Sequence, residues 1–156
     1  MRSAQQGIFS PFPAASYRVA VVVAEFNSDI TKALLQGTLA ELAKYKIPKK
    51  NIDIFRVLGC VEIASVLAAV AQSKKYDCAL ALGAIIRGET DHYYYVADLV
   101  VRGVSSAMAK GLPVGFGVLT VDTKKQARAR LDVGAQAAAA SMHTAQITSK
   151  IAGKNQ

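Results

Sequence analysis

The side chains best suited to chemistry in this sequence stand close together. Gly83-Ala-Ile-Ile-Arg-Gly-Glu-Thr-Asp-His92 carries a glycine-bounded turn, a hydroxyl, two carboxylates and one of the chain's two histidines. It follows the apolar run Cys78-Ala-Leu-Ala-Leu82, which reads as a buried strand. Where a strand ends in glycines and the chain turns into a helix, free backbone N–H groups and the positive end of the helix dipole favour anions and substrates. Gly88, Glu89 and Thr90 fall in that turn. His92 falls in the first turn of the next helix, where an imidazole can donate or accept a proton near neutral pH. His143 has no such setting and reads as structural. Glu62 opens a helix after Gly59, where a carboxylate either offsets the helix dipole or meets a polar ligand.

The cations are lopsided. From Thr123 onward Lys124, Lys125, Arg128, Arg130, Lys150 and Lys154 face only Asp132, within a net charge of +8. Such a bias suits a phosphorylated substrate, a nucleic acid or a solvated helix face. No aromatics interleave with these charges, so a stacking platform for single strands is not supported and nucleic acid is not an expected partner.

The elements that position these residues follow from periodicity. Arg18–Ala24 is a continuous β-branched run, the pattern of a strand buried on both faces. Asn27 or Ser28 can cap a helix reaching about Lys46, with Ile30, Ala33, Leu34 and Gly37 on one face. Ile52–Val57 alternates like a more exposed strand, and Glu62 to about Lys75 is helical by pattern. Asp77–Leu82 is the third strand, with the turn beginning at Gly83, and a helix runs from about Thr90 to Lys110. Val114–Leu119 is the fourth strand. Thr123–Arg130 starts a helix, and an Ala-rich helix follows to about Ile151, with a break placed at Gly134. Strands alternating with helices imply an α/β fold: a three-layer αβα sandwich on a four-stranded parallel sheet, in flavodoxin-like order. Ligands of such sheets bind outside the carboxyl ends of the strands. Glu25–Asn27, Leu58–Glu62, Gly83–His92 and Thr120–Thr123 all fall there.

A length of 156 residues fits one domain, and 52% hydrophobic content supplies a core. Pro11 and Pro13 favour extended chain, so residues 1–17 read as an arm and 18–156 as one domain. No apolar run approaches the roughly 20 residues that span a bilayer, and the N-terminus lacks a continuous signal core, so a cytoplasmic location without membrane partners is expected. Cys60 and Cys78 sit in apolar contexts without a CxxC pair and read as buried thiols.

The four spots, in this order, resemble the 6,7-dimethyl-8-ribityllumazine synthase family. The matching pieces are Phe26-Asn27, Gly59-x-x-Glu62-Ile63, Gly83 to His92 with Tyr93 and Tyr95-Val-Ala97, Pro113-Val-x-Phe-Gly-Val-Leu-Thr120, and Asp122-Thr-x-x-Gln-Ala-x-x-Arg130. The resemblance implies an enzyme of riboflavin biosynthesis that condenses 5-amino-6-ribitylamino-pyrimidinedione with 3,4-dihydroxy-2-butanone 4-phosphate, without metal or cofactor. It implies sites between neighbouring subunits of a homopentamer, alone or in sixty-subunit icosahedral shells. In that pattern Phe26 stacks on the pyrimidine, with Asn27, Gly59, Cys60 and Val61 beside it. Glu62 accepts the ribityl hydroxyls, and the backbone of Ala84, Ile85 and Ile86 meets the ring edge. Gly88, Glu89 and Thr90 bind phosphate, and His92 moves protons. Phe116 and Arg130 come from the adjacent subunit as a ring wall and a phosphate cation.

The chain departs from this pattern in three places. Val61 stands where the family usually has an aromatic, and Ala64 where it has a proline. Leu131-Asp-Val-Gly-Ala-Gln-Ala-Ala138 lacks the lysine of the family's connector. These departures support a second reading: a redesigned or drifted scaffold acting as an oligomeric or cage subunit with weak or no catalysis, taking a second designed component as partner.

Overall fold

The computed structural model describes residue 7 and residues 9–154. The earlier part of the expected arm, residues 1–6 and 8, lies outside the described residues.

Four strands, β1 (Val19–Ala24), β2 (Ile52–Val57), β3 (Cys78–Ile86) and β4 (Val114–Val121), form one sheet in the order β2-β1-β3-β4. Every pairing is parallel. The α-helices among the described residues are α1 (Ser28–Lys44), α2 (Cys60–Ser73), α3 (His92–Ala109), α4 (Lys124–Arg128) and α5 (Val133–Ile151). A short 3₁₀ turn, Lys49–Asn51, leads into β2. The expected α/β sandwich in flavodoxin-like order is therefore the observed one.

Alternation along the strands divides the core. Val19, Val21 and Val23 face α1 and α5, with Cys78, Leu80 and Leu82 beside them. Ala20, Val22 and Ala24 face α2 and α3, with Ala79 and Ala81. All six residues of β1 are buried, because it has strands on both sides and helices on both faces. The ends of α1 and β3 close a third cluster with Leu119, Val121 and Ala127. Residues 9–17 run along this body: the Ala14 N–H donates to the Tyr45 carbonyl at 2.8 Å, and Ala14 and Tyr17 are buried. His143 packs among the rings of Phe9, Phe12 and Tyr45.

The third strand is longer than its apolar run suggests. Gly83 lies inside β3, not at the turn, because β4 continues alongside it to the pair Ile86↔Val121. Its missing side chain serves packing: a Cβ there would meet the Cys60 Sγ at 2.5 Å. The turn is thus Arg87–Asp91, and α3 opens at His92, two residues after the expected start.

The break before the last helix also moves. It falls at residues 129–132, between α4 and α5, and Gly134 sits in the first turn of α5. There α5 passes so close to α1 that a Cβ would strike the Leu34 carbonyl. Gly103 and Ala64 make a similar close crossing between α3 and α2. Among the described residues, no helix is long and apolar enough to cross a membrane.

Candidate active site

The carboxyl ends of β1, β2 and β3 surround a cavity of about 400 Å³. It exists because β1 and β3 part company there. After Ala24 the chain stays with β2: the Glu25 N–H donates to Val57 and the Phe26 N–H to Leu58. The β1·β3 pairing stops at Val23↔Leu82. Residues 84–86 of β3 consequently project past β1 with that edge open.

Asn27 turns the chain away. It adopts the left-handed conformation, φ 58° and ψ 48°, which asparagine tolerates better than most residues. Its side chain does not cap α1, as its place in the sequence suggests. Instead Nδ2 donates to the Ala84 carbonyl at 2.9 Å, across the gap. Successive residues of a strand turn their backbone groups to opposite edges. Ala79 and Arg87 donate toward the β4 side, so Ile85 also faces β4, whereas Ala84 and Ile86 face the gap. The Ala84 carbonyl is held by Asn27. Ala84, Ile85 and Ile86 all line the cavity, and the Ile86 N–H and C=O face its open edge.

Cavity walls come from every expected spot on these three strands. Phe26 and Asn27 line one side, and Phe26 is 71% exposed, a large ring left in solvent. Leu58, Gly59, Cys60, Val61 and Glu62 line another. Gly59 is the N-cap of α2, and Glu62 reaches back so that Oε2 accepts the Gly59 N–H at 2.8 Å. Glu62 thus fulfils the helix-terminus role, with its second oxygen free to accept from elsewhere. Cys60 is nearly buried, and burial, more than the nearby Glu62 carboxylate, pushes its thiol up to about 11 despite the Ala84 bond. At neutral pH it is a neutral part of the wall, not a nucleophile.

The turn and α3 complete the enclosure. Gly88, Thr90 and His92 line it. A Cβ on Gly88 would meet nothing within 4 Å, so space is left above that peptide. The His92 N–H donates to the Thr90 Oγ1 at 3.4 Å, and both residues are exposed. Leu58, Tyr93 and Val96 also line the cavity, and periodicity alone does not single them out. Val96 reads as core because it lies on the buried stripe of α3. At the helix's first turns that stripe faces the cavity.

Three expected site residues lie elsewhere. Glu89 is exposed in the turn and does not line the cavity. Phe116 stands in β4 opposite Ala81, 40% exposed. Arg130 follows α4, exposed, with Nη1 donating to the Gln126 carbonyl at 3.0 Å. The basic tail is partly neutralised within the fold: Lys124 and Arg128 both pair with Asp29 on α1 at 3.1 Å and hold its carboxyl below the usual range. Among the described residues, no three His, Cys, Asp or Glu side chains come together as a metal site would need.

The arrangement offers an apolar slot with an open strand edge, a carboxylate, a glycine turn and an imidazole. Such a slot can take a flat polar ring, a hydroxylated chain and an anion together. The sequence model of the family described as 6,7-dimethyl-8-ribityllumazine synthase matches residues 16–149. A protein of that name from Kosmotoga olearia is 40% identical over 117 residues, 74% of this chain and 75% of the relative. Another, from Anaeromyxobacter dehalogenans, is 41% identical over 141 residues, 86% of this chain and 87% of the relative. By its strand-end motifs, its fold and these matches, the chain belongs to the 6,7-dimethyl-8-ribityllumazine synthase family.

Proposed function

We propose that this protein is a cytoplasmic transferase of riboflavin biosynthesis, condensing 5-amino-6-ribitylamino-pyrimidinedione with 3,4-dihydroxy-2-butanone 4-phosphate to 6,7-dimethyl-8-ribityllumazine. One observation carries the reading. The free Ile86 backbone edge, the exposed Phe26 ring, Glu62, the Gly88–Thr90 turn and His92 line a single cavity at the carboxyl end of the sheet. The names of both relatives agree with it.

In this reading the pyrimidine lies against Phe26, with its polar edge on the Ile86 N–H and C=O. The ribityl hydroxyls donate to the Glu62 carboxylate. The phosphate sits on the Gly88–Thr90 backbone and the Thr90 hydroxyl. The substrate amine attacks the ketone, and water leaves as the Schiff base forms. Phosphate then departs, and the second nitrogen attacks the remaining carbonyl to close the ring, releasing a second water. Each stage moves a proton to or from nitrogen, oxygen or carbon, and His92 is the cavity's imidazole to carry it. Glu89 takes no direct part.

Phe116 and Arg130 would reach the cavity of a neighbouring copy, supplying a ring wall and a bidentate phosphate partner. A homo-oligomer, pentameric or built of pentamers, is supported by the exposed apolar residues Tyr95, Leu99, Val101 and Met108 along α3.

Crystals grown with inorganic phosphate and the pyrimidine substrate test the assignment. The expected result is phosphate between Gly88–Thr90 of one subunit and Arg130 of the next, with the ring against Phe26. A pyrimidine bound elsewhere, with the cavity empty, would contradict it.

A further inference from the structure

We propose that Arg87 is a positioning residue for the turn that carries Thr90 and His92, holding both ends of that turn without touching a ligand. The proposal rests on the functional reading above. Arg87 is the first residue after β3, and its backbone N–H donates to the Val121 carbonyl at 2.9 Å, extending the β3·β4 ladder by one rung. Its side chain then folds back over the start of α3. Nε donates to the Asp122 Oδ1 at 2.8 Å, and Nη1 donates to the Tyr94 hydroxyl at 2.8 Å. The guanidinium carbon lies 4.8 Å from the ring centres of both Tyr93 and Tyr94, which meet each other edge to face. One planar group thus joins the end of β4, the start of the turn and the first turn of α3.

The turn has little else to hold it. Residues 87–91 are exposed, a Cβ on Gly88 would touch nothing, and Asp91 makes no side-chain cap to α3. Its own ties to α3 are the Tyr94 N–H donating to the Asp91 carbonyl at 3.0 Å and the 3.4 Å contact between the His92 N–H and the Thr90 Oγ1. A short exposed turn without packing samples several backbone conformations unless its ends are fixed. Arg87 fixes them, and Asp122 is itself restrained, because its backbone N–H donates to the Gln126 Oε1 at 2.8 Å. Exposed ion pairs contribute little singly. Here two hydrogen bonds and two ring faces meet on one rigid fork. Arg87 does not line the cavity, whereas its stacking partner Tyr93 and the residues it restrains, Thr90 and His92, do. A mispositioned turn costs catalysis even when the reacting groups are intact.

The test compares Arg87→Lys, Tyr94→Phe and Asp122→Asn with the unaltered protein. Lysine keeps the charge but loses the fork; Tyr94→Phe removes an acceptor and Asp122→Asn the negative charge, each with little change in shape. Hydrogen exchange of the His92 and Tyr94 amides, which bond back to Thr90 and Asp91 of the turn, should speed up about tenfold or more in Arg87→Lys, with β1 and β3 amides unchanged. Inorganic phosphate, titrated by phosphorus NMR, should bind more weakly in all three. The steady-state KM for the butanone phosphate should rise and kcat fall, together about tenfold to a hundredfold in kcat/KM, while KM for the pyrimidine stays near its original value. Unchanged exchange at His92 and Tyr94 in all three variants overturns the proposal. So does faster exchange with unaltered phosphate binding. If the unaltered protein gives no condensation, the functional reading fails, and exchange together with phosphate binding still decides the role of Arg87.

Discussion

Val61 lines the cavity and is 36% exposed, at the position where the family resemblance puts an aromatic ring. A stacked ring contributes about 1–3 kcal/mol, so Val61→Phe should lower the Kd for the pyrimidine about tenfold to a hundredfold. Calorimetric titration checks this, and an unchanged Kd would remove Val61 from the ring wall. The two thiols make a prediction of a different kind. Cys78 is fully buried, and desolvation pushes it up to about 12, as it pushes Cys60 to about 11. In the unfolded chain both ionise near pH 9. Between those values the unfolded chain binds fewer protons than the folded one, so stability is intact below about pH 9 and falls as pH rises toward 11–12. Urea unfolding at pH 8 and pH 10 should show the decline, and its slope should lessen in Cys60→Ala. Much at this scale was legible in the sequence. His92, Glu62 and the Gly88–Thr90 turn are chemically distinctive in place and type. The Asn27 bond to Ala84 and the open strand edge beyond it were not legible, because both depend on where β1 stops pairing with β3.

At the scale of elements, the crossings are set by glycines. Gly134→Ala should gain helix propensity yet lose stability, because its Cβ would strike the Leu34 backbone carbonyl, which cannot rotate away. Overpacking of this kind costs about 1–3 kcal/mol, which thermal unfolding would register as a lowered Tm. Gly83→Ala should cost a similar amount through the Cys60 sulfur, and Cys60→Ala should restore part of it. If the two changes simply add, the contact is not what selects glycine. Apolar periodicity placed the four strands and the main helices. It missed the length of β3 because glycine inside a strand and glycine at a turn look alike in one dimension. It misplaced the break before α5 for the same reason: Gly134 breaks nothing, and the close approach of α1 is not written in the local pattern.

At the scale of the whole molecule, the fold leaves apolar surface that one chain does not cover. Tyr95 and Leu99 on one flank of α3, Val101 and Met108 on its other flank, and Phe116 on β4 are all exposed. Light scattering of the unliganded protein should find a pentamer or a multiple of one, and Leu99→Asp together with Val101→Asp should break it down while leaving the helical circular dichroism in place. A stable monomer of the unaltered chain would contradict the shared site. Cavity and sheet were foreseeable from the alternation of elements, whereas the assembly is not encoded in periodicity, since an exposed interface and a buried core show the same apolar stripe. The most direct measurement mixes the protein with the pyrimidinedione and the butanone phosphate and follows lumazine fluorescence. A rate well above the spontaneous condensation, falling about a hundredfold or more in His92→Ala with KM little changed, is the predicted result. No turnover above the spontaneous rate, or an unchanged rate in His92→Ala, would contradict it.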